Sequence, residues 1–80
     1  MPTVFKKGGY RFFFYSADFA EPKHIHVEYG NGVAKFWLFP LQLASSYGLK
    51  AHELKRARIL IEEHIGLIEE KWNEFFSRTT

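Results

Sequence analysis

Two dipeptides and one repeat predict an α+β fold for this 80-residue chain. Two antiparallel β-hairpins form a sheet, β-β-β-β, and one long C-terminal helix packs on one face. Gly8-Gly9 and Asn31-Gly32 each divide a pair of apolar-rich runs, and such dipeptides supply the positive φ angles of tight hairpin turns. From Ala51 to Phe76 apolar residues recur at three-and-four spacing, through Leu54, Ile61, Ile68 and Phe75 with Ile65 and Trp72 between them. That is the stripe of a helix laid on a core. The whole chain, 1–80, reads as one domain.

The first hairpin, "TVFKKGGYRFFFYS", gives strands over about 3–7 and 10–16, with Lys7 opposite Tyr10, Phe5 opposite Phe12 and Thr3 opposite Phe14. "ADFAEPK" is a polar connection that Pro22 keeps from becoming a helix or a central strand. "HIHVEY" opens a strand over about 24–30, Asn31-Gly32 forms a type I′ turn, and "VAKFWLF" returns over about 33–39. On this register Glu28 faces Lys35, His26 faces Trp37 and His24 faces Phe39. Pro40 ends the strand, and "LQLASSYG" bridges to a helix over about 51–76. Gly66 costs that helix about 1 kcal/mol relative to Ala and marks a place for a kink.

Composition removes several classes of function. Hydrophobic residues make up 46% and aromatic residues 19%, too apolar for a disordered chain. The net charge of +2 permits an anionic partner without demanding one. The absence of cysteine excludes a disulfide scaffold, a thiolate nucleophile and a Cys-ligated zinc site. No run of about 18 apolar residues crosses a membrane. "MPTVFKKGGY" lacks the pattern of a signal peptide, so a soluble, cytoplasmic protein without membrane contact is expected. Met1-Pro2 reads as a start residue followed by an ordinary proline.

Alternation divides the sheet into two faces. Phe5, Phe12, Phe14, Ile25, Val27, Phe36 and Leu38 share the face assigned to the helix. Lys6, Arg11, Phe13, Tyr15, His24, His26, Glu28, Lys35 and Trp37 share the other. One helix cannot cover both faces, so Phe13, Tyr15 and Trp37 are expected to be exposed or covered by a partner or a second copy.

The row His24, His26 and Glu28 supports three readings. As metal ligands, two imidazoles on one strand face would need a third group, and Glu28 lies ~13 Å from His24 along a strand. As a catalytic set, a histidine would act as general acid or base while Lys6, Arg11 or Lys35 stabilised negative charge, which suits metal-independent cleavage of RNA. As ordinary strand residues, the imidazoles would pack on Trp37 and Phe39 and hydrogen-bond to backbone or Glu28.

"MPTVF", "GYRFFFYS", "EPKHIHV", "AKFWL" and "EKWNEFF" together resemble the small bacterial domain of unknown function family 4160, in order and over nearly the whole chain. The family's histidine motif corresponds to Pro22, His24, His26 and Val27, and its other motifs include Arg11, Lys35 and Trp37. This chain carries Lys50 where a serine or threonine often caps the helix, and Lys23 where a second proline often stands. The resemblance implies an arrangement like a toxin–antitoxin gene pair, hence a small protein partner encoded nearby, with nucleic acid as a further partner class.

The resulting expectation is an interaction module in such a pair, and not an enzyme. It would meet a protein partner or its own copy, as a homodimer, through Arg11, Phe13, Tyr15, Glu28, Lys35 and Trp37. No cofactor and no metal are assigned in that reading. The alternative is a ribonuclease with His24 and His26 as catalytic residues, and the third is a His-x-His metal-binding protein.

Overall fold

A computed structural model describes residues 3–76. Five strands form one antiparallel meander: β1 (Thr3–Lys7), β2 (Tyr10–Phe13), β3 (His24–Tyr29), β4 (Gly32–Leu38) and β5 (Leu41–Tyr47). A short 3₁₀ turn, Asp18–Ala20, lies between β2 and β3, and two helices follow the sheet, α1 (Ala51–Glu63) and α2 (Ile65–Phe76). The α+β class is as expected, with one strand and one helix more than four and one.

The additional strand is β5. After the turn at Phe39-Pro40 the chain does not leave the sheet: Leu41 lies opposite Leu38 and Leu43 opposite Phe36. Two leucines at alternate positions are a strand signal, but the serines around them and the lack of β-branched residues make it weak. Being an edge strand, β5 has little burial to impose a strong pattern.

The helix divides at His64, two residues before Gly66. The His64 backbone N–H is shared between the Leu60 and Ile61 carbonyls, and its ring Nδ1–H also donates to the Leu60 carbonyl at 2.8 Å. Phe5 stacks on the same ring at 4.2 Å, so the junction is clamped to β1. A Cβ at Gly66 would meet nothing within 4 Å, so that glycine answers no steric demand. At the other end α1 starts at Ala51 without a Ser or Thr cap, because the Glu53 carboxylate accepts the Lys50 backbone N–H at 2.7 Å.

Phe12, Phe14, Ile25, Val27, Phe36 and Leu38 meet Ala57, Leu60, Ile61, Ile68 and Trp72 in one buried core, with Phe5 packed against it. This is the face the alternation assigned to the helix. Burying each large side chain there contributes about 1.5–3 kcal/mol. Tyr10 joins this core and its hydroxyl donates to the Glu53 carbonyl at 3.3 Å.

Registers correct four pairings. Lys7–Tyr10 and Phe5–Phe12 stand, but Thr3 lies opposite Phe13 through an irregularity between Thr3 and Phe5. In the second hairpin His24 faces Trp37, His26 faces Lys35 and Glu28 faces Val33. The shift is two residues, so every side chain keeps its face. The turn is Gly30-Asn31, with Gly30 at φ 58° and no positive φ at Asn31, as in a type II′ turn. Gly32 instead begins β4, where a Cβ would meet the Gly48 carbonyl oxygen at 2.5 Å and Leu49 at 2.6 Å. Close backbone approach is what occupies this glycine. Among the described residues, no helix is long and apolar enough to cross a membrane.

Candidate functional site

The face turned away from the helices carries three cross-strand rows. Phe13, His26, Lys35 and Ser45 form the middle row; Arg11, Glu28, Val33 and Tyr47 lie on one side; His24, Trp37 and Gln42 lie on the other. Tyr15 stands just beyond β2, edge-on to His26 with ring centroids 4.6 Å apart. All the site residues expected from the sequence therefore share one face.

Their exposure differs from expectation. Tyr15 is exposed, but Phe13 is only 3% exposed and Trp37 is half-buried. Phe13 is covered by the Arg11 guanidinium, 4.3 Å from its ring centroid, and Trp37 by the Lys35 ammonium at 4.4 Å. Long cations lie over the rings and cover them without a second protein layer. Each is held in place: Arg11 pairs with Glu28 at 3.1 Å, and Lys35 with Glu21 at 2.6 Å. Glu28 thus serves Arg11 and not Lys35, and it does not approach the histidines as a ligand or hydrogen-bond partner. The Lys35 hydrogen bond holds the Glu21 carboxyl below its ordinary pKa.

The partner the histidines do find is Asp18, from the 3₁₀ turn. Its Oδ1 lies 3.0 Å from His24 Nε2, and its Oδ2 lies 3.2 Å from His26 Nε2. The carboxylate is oriented by the Tyr15 backbone N–H, which donates to Oδ2 at 2.8 Å. β2 ends at Phe13, short of the expected residue 16, and this bond belongs to the turn that follows. Behind the cluster Lys23 pairs with Glu69 at 2.9 Å, fastening the connection to α2.

His24 has no exposed surface and packs edge-on against Trp37 and Trp72. The exposed Phe39 is not its neighbour in the register. Its Nδ1 lies 2.8 Å from the Pro22 carbonyl, so Nδ1 carries the hydrogen and donates it. Nε2 then faces Asp18, buried and without an aligned hydrogen-bond partner. His26 is partly exposed, and its imidazole pKa lies below the ordinary value because burial disfavours the cation; Asp18 opposes that shift, while His24 and Lys35 add to it. Burial alone would raise the Asp18 carboxyl. The Tyr15 N–H opposes that effect, and the carboxyl lies below its ordinary value.

Beside the cluster runs an open trough of about 320 Å³, bordered by Tyr15, His26, Lys35, Val33, Ser45 and Tyr47. Asp18 escaped the sequence reading because no strand or helix period links a turn residue to the face it folds over. Its one local signal is a polar side chain within a Pro-containing connection.

The family model described as Domain of unknown function (DUF4160) matches residues 9–73, and the chain belongs to that family. No curated protein and no solved structure matches it.

Proposed function

We propose that this DUF4160 member is a protein-binding module, one component of a toxin–antitoxin-like pair, and that it takes an extended segment of its partner along the outer edge of β5. The asymmetry between the two sheet edges carries this reading. β1 carries Lys6 and Lys7, an irregular register, and the clamp of Phe5 on His64. Charges, irregularities and covering elements are how edge strands are protected from adding another strand. On β5 all seven residues from Leu41 to Tyr47 are uncharged, and those from Gln42 onward are exposed. Its one irregularity skips Ala44, between the pairs Lys35–Ser45 and Phe36–Leu43. A strand laid there gains main-chain hydrogen bonds and sets alternate side chains over the trough beside Tyr47, which is 79% exposed.

Co-expression with the product of the adjacent reading frame tests it. The two proteins are expected to co-purify at a fixed ratio, and replacing Leu43 and Tyr47 together by Lys should abolish this while moving stability by less than about 0.5 kcal/mol. A complex that survives the double substitution overturns the assignment to β5. A homodimer lost on the same substitution places a second copy, and not a foreign chain, on this edge. The ribonuclease reading has less support, since Glu21 neutralises the Lys35 that would stabilise negative charge.

A further inference from the structure

We propose that Asp18, His24 and His26 bind one divalent transition-metal ion of the zinc type. The inference does not depend on the β5 edge. It begins with the buried nitrogen on His24. A carbonyl oxygen only accepts, so the 2.8 Å contact with Pro22 fixes the hydrogen on Nδ1. In the neutral ring Nε2 then turns a lone pair toward a carboxylate oxygen 3.0 Å away. Two electron-rich atoms so placed repel each other, and burial removes the water that would screen them. A cation between them converts the repulsion into two coordinate bonds. An imidazole anchored through its other nitrogen to a carbonyl is the usual support for a metal-ligating histidine.

The third donor completes the geometry. His26 Nε2 lies 3.2 and 3.3 Å from the two Asp18 oxygens, and the three donor atoms all lie within 4.8 Å of one another. Zinc-to-ligand distances of about 2.0–2.2 Å imply tetrahedral ligand separations of about 3.3–3.6 Å, so small side-chain shifts suffice. Two imidazoles and one carboxylate favour zinc, cobalt or nickel over calcium or magnesium, which prefer all-oxygen shells. The Tyr15 N–H holds the carboxylate before any ion arrives.

A tetrahedral site has a fourth coordination position. Glu21 Oε1 is 3.9 Å from His24 Nε2, near enough to close that position in place of water.

The test is titration of full-length, untagged, chelator-treated protein with Co²⁺ and then Zn²⁺, followed by calorimetry and visible absorption. One Co²⁺ per chain is expected, with the intense bands of a low-coordinate site, displaced by Zn²⁺, and a thermal midpoint that rises with Zn²⁺. Asp18→Asn and His26→Ala should each weaken binding by more than about 100-fold, beyond what loss of a supporting group costs. Asn preserves the acceptor for the Tyr15 N–H, which keeps the first variant folded. His52→Ala, on the exposed surface of α1, should bind as the unaltered chain does. Absence of saturable binding at millimolar metal overturns the proposal, as does unchanged affinity in both Asp18→Asn and His26→Ala.

Discussion

The two faces of this sheet are closed by different means. Under the helices, Phe12, Ile25 and Leu60 are fully buried among other apolar side chains. On the opposite face, Phe13 and Trp37 are covered by the stems and charges of Arg11 and Lys35, which are held by Glu28 and Glu21. The first closure is close-packed and changes little without cost. The second is made of long, flexible side chains, so a small domain can cover aromatic rings on a second face without a second layer.

Substitution of equivalent rings measures that contrast most strongly. Phe12→Ala is expected to cost about 3–5 kcal/mol in urea denaturation, and Phe13→Ala only about 2 kcal/mol, because the long Arg11 side chain lying over Phe13 can settle into the gap. Equal costs would show that the polar cover packs as tightly as the core.

A smaller effect separates the faces by pH. Burial raises the Tyr10 pKa above its ordinary value, and Tyr29 and Glu53 add to the shift while Arg56 opposes it. A raised folded value stabilises the protein fully below the unfolded pKa of about 10, and that contribution is lost as pH climbs through the folded value. Tyr10→Phe should therefore cost about 1 kcal/mol at neutral pH and flatten the alkaline decline of the thermal midpoint. A decline as steep as in the unaltered protein would remove Tyr10 as its source.

The smallest expected change is on the open face itself. Lys35→Met removes an ion pair and a cation–π contact but retains a flexible stem over Trp37, and should cost at most about 1 kcal/mol. A larger loss in the same denaturation assay would mean that charge, and not coverage, holds that face closed.

The sequence exposes most of this arrangement where one strong period or turn dominates. Phe12, Phe14, Ile25, Val27, Phe36 and Leu38 alternate toward the helices, and the stripe from Leu54 to Phe75 places the helical region. The two-residue slip between β3 and β4 preserved the faces, so His24, His26, Lys35 and Trp37 stayed together although each paired differently. β5 was hidden because an exposed edge strand lacks a one-sided apolar pattern. Asp18 was hidden because its place depends on how a connection folds back over a sheet, and residue spacing does not encode that. The expected exposure of Phe13 failed for a different reason: alternation assigns a face but says nothing about a neighbouring arginine lying across it.

Gly32 shows where variation in this chain is closed and where it is open. Its missing side chain makes room for the Gly48 carbonyl as the chain passes from β5 toward α1. Any side chain at position 32 would push that crossing outward, and with it the path by which the helices return to the sheet. A chain keeping this path must keep that position bare, whatever molecule it meets. Arg11, Lys35 and Tyr47 lie under no such restriction, so the same scaffold can exchange its contacts while retaining its shape.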